Sequence, residues 1–196
     1  MKALGLNEVG GPENLSLQEV ETPEPGPGEV RVTLKAAALN RRDVWITVGK
    51  YPQINTPSIG GSDGAGVIDA VGEGVDSSEI GKEVVVYPAR DWGDDWRCGG
   101  PNFRVLGMPD QGTFAEYICA PAADVYPNPG HLNWAQAAAL PLAGLTSWRA
   151  LVTHGEVRAG QKVLVTGIGG GVATFAMLWA KNKGAEVWVN SGSEEK

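Results

Sequence analysis

From Val163 to Asn190 the chain reads strand, glycine turn, helix, strand, and few architectures accommodate that order. Val163 to Thr166 is a short, continuous apolar run of the kind a buried parallel strand needs. Gly167 and the triplet Gly169, Gly170 and Gly171 follow at once. Val172 to Lys183 then carries Ala173, Ala176, Met177 and Ala180 at helical spacing, and Gly184 ends the helix. Glu186 to Asn190 supplies a second apolar strand, which completes a βαβ unit.

Glycines at such a turn have a chemical use. Without a Cβ the backbone turns sharply and approaches a pyrophosphate closely, and the amides at the helix start point at its oxygens with the helix dipole behind them. A glycine run alone is often only a flexible loop; between a strand and a helix it favours dinucleotide binding. Gly167, Gly169, Gly170 and Gly171, with Val172 opening the helix, are therefore the candidate pyrophosphate contacts. No register gives a full G-x-G-x-x-G. In the register Ile168, Gly170, Ala173, the Ala suits the helix–strand contact, and Gly167 or Gly169 is left to supply the turn.

The tip of the second strand bears on which dinucleotide is bound. A site for NAD usually carries Asp or Glu about 20 residues on, accepting from the ribose hydroxyls. Here Asn190, Ser191, Gly192 and Ser193 occupy those positions, with Lys196 beyond. No carboxylate at the tip repels a 2′-phosphate, and Ser191, Ser193 and Lys196 offer hydroxyl donors and a cation. Read singly, each is an ordinary polar surface residue; together they favour NADPH, although Glu194 and Glu195 lie nearby.

The remaining composition excludes several function classes. In 196 residues, 42% are hydrophobic and 20% charged, with a net charge of −7, enough for one large domain or two small ones. The acidic balance and the lack of a basic stripe argue against nucleic acid as a partner. No run of about 18 apolar residues is present to span a membrane, and no charged-then-apolar leader stands at Met1. Cys98 and Cys119 are the only cysteines, which does not indicate a disulfide scaffold. A cytoplasmic location is the resulting expectation.

Ahead of the βαβ unit the pattern is different. Lys2 to Leu6 and Leu15 to Val20 read as strands around a Gly10-Gly11-Pro12 turn, and the proline-rich segment 22–28 is a stiff connector, since Pro lacks an amide donor. Val30, Val32, Leu34 and Ala36 alternate with Arg31, Thr33 and Lys35, the period of a half-buried strand. A short helix is expected over Asn40 to Val48. Further strands are expected at Asp63 to Val71, Glu83 to Tyr87 and Gly112 to Ala120, the first two separated by the turn 72–74. Many short strands with Gly/Pro turns indicate a β-barrel-like domain over roughly the first 120 residues. From Asn133, a plausible N-cap for the helix 134–139, the grammar becomes helical, with a longer helix over Leu142 to His154.

This order of segments resembles the medium-chain dehydrogenase/reductase superfamily, in its zinc-independent, quinone oxidoreductase-like branch of the alcohol dehydrogenases. The resemblance rests on Pro25-Gly-Pro-Gly-Glu-Val30, Ala38-Leu-Asn-Arg-Arg-Asp43, Gly49-Lys-Tyr-Pro52 and Gly60-Gly-Ser-Asp-Gly-Ala-Gly66. Gly112-Thr-Phe-Ala-Glu-Tyr117, Leu140-Pro-Leu-Ala-Gly-Leu-Thr-Ser-Trp148, the glycine turn and the closing Gly-Ser-Glu-Glu-Lys belong to it as well. It covers essentially the whole chain. The resemblance implies an α/β plus β fold: a GroES-like β-barrel catalytic domain over 1–125, then an incomplete, doubly wound Rossmann cofactor domain over 126–196, with the active site in the cleft between them.

Departures from the pattern are informative. Zinc-dependent relatives place Cys where Asn40 stands and a His-Glu pair where Ser62 and Asp63 stand, and catalytic zinc needs about three N or S protein ligands. The four-cysteine structural loop of such relatives falls near 91–108, where Cys98 alone remains; Asp94, Asp95 and Cys98 read as a solvated acidic loop. No zinc is expected. Alcohol oxidation needs a Lewis acid for the alkoxide, whereas a quinone or enone already has an electrophilic carbon and its developing oxyanion can be held by hydrogen bonds. The resemblance thus implies an NADPH-dependent oxidoreductase acting on a small-molecule quinone, enone or related carbonyl.

By the same resemblance Asn40, Asp43 and Tyr51 lie near the nicotinamide and substrate. Asn40 is expected to bond substrate or ribose, Tyr51 to orient the carbonyl or relay a proton, and Asp43 either to share that work or to support its neighbours. Thr146 matches a threonine on the nicotinamide side. Ser62 is read as a packing replacement, Trp45 as a pocket wall, Trp92 and Trp96 as loop packing, and His131 and His154 as structural or exposed. A full doubly wound sheet has about six strands. Two strands here would leave apolar edges at 163–166 and 187–189 exposed, so a fragment of a longer protein, homodimeric when complete, is the expectation. A non-catalytic dinucleotide-binding or GroES-like assembly module, or a zinc-type alcohol dehydrogenase-like protein, are the competing readings.

Overall fold

The alternation at residues 30–36 becomes the central strand of the largest sheet. The computed structural model describes residues 1–192, which divide into two compact units, Met1–Pro141 and Leu142–Lys196. In the first, β1 (Lys2–Leu6) and β2 (Leu15–Glu19) form an antiparallel pair, and β3 (Glu29–Ala38) leads into helix α1 (Arg41–Thr47). There follow β4 (Ser58–Ile59), β5 (Asp63–Val71), β6 (Glu83–Val86), β7 (Ala89–Arg90), β8 (Arg104–Val105), β9 (Tyr117–Pro121) and β10 (Val125–Pro127). Helix α2 (Trp134–Ala138) ends the unit's regular structure.

Five strands in the order β10-β6-β5-β3-β9 make one antiparallel sheet, and β2-β1-β4 make a smaller one. Val30 and Val32 of β3 are fully buried against Ile68, Val84, Val86, Leu106, Ile118 and Ala120, which is the main core. Two register shifts, at Arg31/Val32 and Leu34/Ala36, interrupt the β3–β5 ladder, and such bulges bend a strand and increase its twist. At the bend Gly66 of β5 lies so close to Leu34 that an added Cβ would stand 2.9 Å from the Leu34 Cα and closer still to the Thr33 carbonyl.

The expected strand over 112–120 begins only at Tyr117. The segment before it is used to cross-link the two sheets. Gly112, Thr113 and Phe114 donate their amides to the carbonyls of Ile59, Gly61 and Gly60, and Phe114 accepts from Leu4. The link from β5 to β6 runs past the 72–74 turn into a short 3₁₀ turn, where Asp76 caps the Ser78 amide at 2.8 Å. Residues 126–141, expected with the second domain, pack with the first unit. β10 pairs with β6, and Ala137 and Ala138 of α2 are buried with Ala65. Asn133 caps α2 as expected, accepting from Gln136 N at 2.9 Å while Gln136 Oε1 accepts from Asn133 N.

Helix α3 (Pro141–Trp148), all but its first residue in the second unit, continues through a wider π-type turn, Arg149–His154. Then come β11 (Lys162–Val165), α4 (Gly171–Asn182) and β12 (Glu186–Val189). β11 and β12 pair in parallel, Val163 opposite Val187. Trp148 meets Trp179 edge to face at 5.2 Å, and Trp179 Nε1 donates to Gly144 O, which fixes α4 on α3. Leu164 and Trp188 stand opposite each other in the ladder and are both more than half exposed. No helix among the described residues is long and apolar enough to cross a membrane. The substitution Gly66→Ala should lower stability by roughly 3 kcal/mol, because the Cβ would meet backbone that cannot rotate away; urea unfolding measures it.

Candidate functional site

The end of β3 and the start of β5 are neighbours, Ala38 pairing with Asp63. Asn40, two residues past β3, is consequently brought to the head of β5, and its Nδ2 donates to Asp63 Oδ2 at 2.8 Å. Asp63 is 1% exposed. Asn40 is also the extended residue before α1, and its amide donates to Asp43 Oδ2 at 2.7 Å, so Asp43 in the first turn complements the helix dipole.

Asp43 has only one oxygen in that bond. Its Oδ1 is buried without a hydrogen-bond partner, and burial raises its pKa above the ordinary 3.8, opposed by the bond from Asn40 and by the positive Arg42. Asp43 is thus tied to its neighbours' structure, and it also lines a largely apolar cavity of about 160 Å³ with Leu6, Leu15, Leu39, Val44 and Phe114.

Arg42 is the residue that sequence reasoning passed over. Its Nε donates to the Tyr51 hydroxyl at 3.2 Å and its guanidinium carbon lies 4.7 Å from the Tyr51 ring centroid. Nη1 donates to the Ser62 hydroxyl and to Leu106 O at 2.7 Å, and Nη2 to Met108 O at 2.9 Å. Ser62, fully buried, donates in turn to Leu106 O at 2.8 Å. Its packing role is therefore joined to a polar one. An arginine in a helix reads in a sequence as a solvated face; only its i-to-i+9 and i-to-i+20 partners reveal otherwise. Trp45 is 44% exposed. Trp92 meets Phe103 edge to face at 4.9 Å and so packs its loop. His131 and His154 are exposed, the latter beside Arg149.

The second group lies wholly in the second unit. Gly167 (φ 69°) and Gly169 (φ 108°) adopt backbone angles that suit glycine, and Gly170 caps α4 with no side chain over its first amides. No acidic residue occupies the first turn, where Val172 is 44% exposed. An anion therefore finds free donors and the positive end of the helix dipole there, so the turn fits a pyrophosphate. Asn190 is bonded to this turn, its Oδ1 accepting from Gly167 N at 2.9 Å and its carbonyl from Ile168 N at 3.0 Å. Ser191 and Gly192 are exposed beyond it. Ser193 and Lys196 lie outside the described residues. Thr146 is exposed on α3 and donates to Leu142 O at 2.7 Å.

Zinc does not fit the first group. Asn40 and Ser62 offer neutral oxygens, the carboxylates of Asp63 and Asp43 beside them are each engaged by Asn40, and the Arg42 guanidinium bonded to Ser62 would repel a second cation. Among the described residues no three His, Cys, Asp or Glu side chains converge as a metal requires. Cys119 is a thiol pushed up to about 11, chiefly by burial.

Comparison with known proteins places these features in context. Residues 26–130 match the alcohol dehydrogenase GroES-like domain. The chain is 40% identical to a zinc-type alcohol dehydrogenase-like protein of Leptosphaeria maculans over 93% of its own length and 54% of that protein's. It is 34% identical to the quinone oxidoreductase of Mus musculus, over 100% and 54% of the two. A crystal structure of an NAD-dependent alcohol dehydrogenase superposes with a TM-score of 0.93 at 44% identity, covering 100% of this chain and 59% of that one. The chain spans about half the length of the curated relatives it matches.

Replacing Asp43 by Asn tests its buried carboxyl. A carboxyl whose folded pKa is raised costs stability as the pH rises from 3.8 through its folded value, because the unfolded chain has already released the proton that the native state still holds. The Asn variant keeps an acceptor for the Asn40 amide, so across that range wild type should lose stability relative to the variant, measured as the difference in Tm at successive pH values.

Proposed function

Because the chain belongs to the alcohol dehydrogenase GroES-like domain family, within the medium-chain dehydrogenase/reductase superfamily, we propose an NADPH-dependent oxidoreductase that passes hydride to a quinone, enone or related carbonyl without zinc. The observation that carries this reading is the Arg42 guanidinium bonded to both Tyr51 and Ser62 beside Asn40 and Asp63. Where a zinc enzyme would present ligands, this site presents a fixed cation and hydrogen-bonding groups. That chemistry suits an acceptor whose oxygen gains negative charge as its carbon gains hydride.

Bound NADPH would supply the hydride, and the protein supplies alignment. In this reading the turn from Gly167 through Gly169, Gly170 and Gly171 to Val172 holds the pyrophosphate through the amides at its helix end, and Thr146 lies toward the nicotinamide. Ser191, Ser193 and Lys196 take the 2′-phosphate. The preference for NADPH is supported by the strand tip, where Asn190 and Ser191 stand in place of a carboxylate. On the substrate side Tyr51 donates to the acceptor's oxygen and Asn40 positions the substrate or the ribose. Asp43 shapes the start of α1. The same reading carries a homodimeric assembly and a cytoplasmic location for the complete protein.

The test is turnover by the full-length protein. NADPH should be consumed with simple quinones and enones at a rate unchanged by a strong chelator, and intrinsic tryptophan fluorescence should give tighter binding of NADPH than of NADH. Activity lost on chelation and restored by zinc moves the protein to the zinc-type reading; cofactor binding without turnover over a broad substrate panel moves it to a non-catalytic module.

A further inference from the structure

Arg42 is half-buried and carries a positive charge, yet its recorded acceptors are all neutral: the phenol of Tyr51, the hydroxyl of Ser62 and the carbonyls of Leu106 and Met108. Asp43 next to it in the chain feels its field, but the bonded oxygen of Asp43 is spent on the Asn40 amide. Two other half-buried arginines are ion-paired, Arg31 with Asp69 and Glu24, and Arg90 with Asp110. A half-buried cation bonded to neutral oxygens polarises them.

We propose that Arg42 is a positioning residue that turns Tyr51 into a directed hydrogen-bond donor for a substrate oxyanion. The phenol oxygen accepts from Arg42 Nε, and the guanidinium lies against the same ring. The Tyr51 proton must therefore point away from Arg42, because a hydroxyl cannot donate toward a group that is donating to it. Drawing electron density from the oxygen also strengthens the bond that the outward O–H makes. The guanidinium is in turn held by backbone carbonyls at residues 106 and 108 and by Ser62 at the head of β5, so Tyr51 is aimed by the barrel itself.

This assignment rests on the carbonyl-reduction reading for its substrate. In the step, hydride brings its electron pair to the electrophilic carbon and the π pair moves onto the carbonyl oxygen. Tyr51 donates to that oxygen, a proton from solvent completes the reduced product, and NADPH leaves as NADP⁺.

A double-mutant cycle on the full-length protein separates positioning from mere support. Tyr51→Phe should lower kcat about 100-fold, the usual cost of one oxyanion donor. Arg42→Gln should lower it about tenfold in the presence of Tyr51, with the KM for NADPH unchanged, and should have little effect in the Tyr51→Phe background. Binding of 4-nitrophenolate, an oxyanion probe followed by its absorbance, should show the same non-additivity without any turnover. Should Arg42→Gln fail to fold, Arg42→Lys carries the cycle, since one ammonium cannot serve four acceptors. Equal losses in both backgrounds overturn the proposal. Non-additive probe binding without turnover of any quinone or enone leaves Arg42 assigned and removes the reductase reading; additive probe binding with turnover intact removes Arg42 and leaves the reductase.

Discussion

A carboxylate with 1% of its surface exposed is tolerated only where donors surround it, and Asp63 imposes that condition on everything near the head of β5. One of its donors is the side-chain amide of Asn40, which the β3–β5 pairing delivers. Satisfying Asp63 places the start of α1, and the start of α1 places Arg42 and Asp43. Arg42 can then reach across to Ser62, Leu106 and Met108, and Tyr51 stacks on it. The arrangement is a chain of necessities that runs from one buried charge outward, with each later residue placed by the bonds of the one before.

Much of this architecture can be read from the residues because local patterns carry it. The period-two run at 30–36, the N-cap at Asn133 and the strand–glycine–helix order after Val163 each depend on neighbours in sequence, and each appears in the structure. Elements that depend on distant partners do not announce themselves. β4, β7 and β8 are two residues each and exist only through their pairings. Residues 112–116 have a strand-like pattern but spend their amides on the carbonyls of residues 59–61 and on the Lys2 carbonyl. β10 and α2 belong with the first unit because of what they pack on.

The candidate site divides along the same line. The glycines and Asn40, Asp43 and Tyr51 belong to recognisable motifs, whereas Arg42 sits beside them with nothing local to mark it. Its partners are 9, 20, 64 and 66 residues away, distances at which a sequence pattern carries no information about contact. Asn190 falls between the two cases: its place at the strand tip is legible, but its bond to Gly167 is a tertiary fact.

That bond bears on coenzyme choice in the proposed reading. The carboxamide of Asn190 lends its oxygen to the Gly167 amide, a task that an aspartate in the same rotamer performs equally well. Exchanging an amino group for an oxygen there would reverse the tip from donor to anion while the bend behind it keeps its brace. On the proposed reading, selectivity between the two nicotinamide coenzymes would be detachable from the glycine turn, since exchanging the tip residue leaves the brace on Gly167 in place.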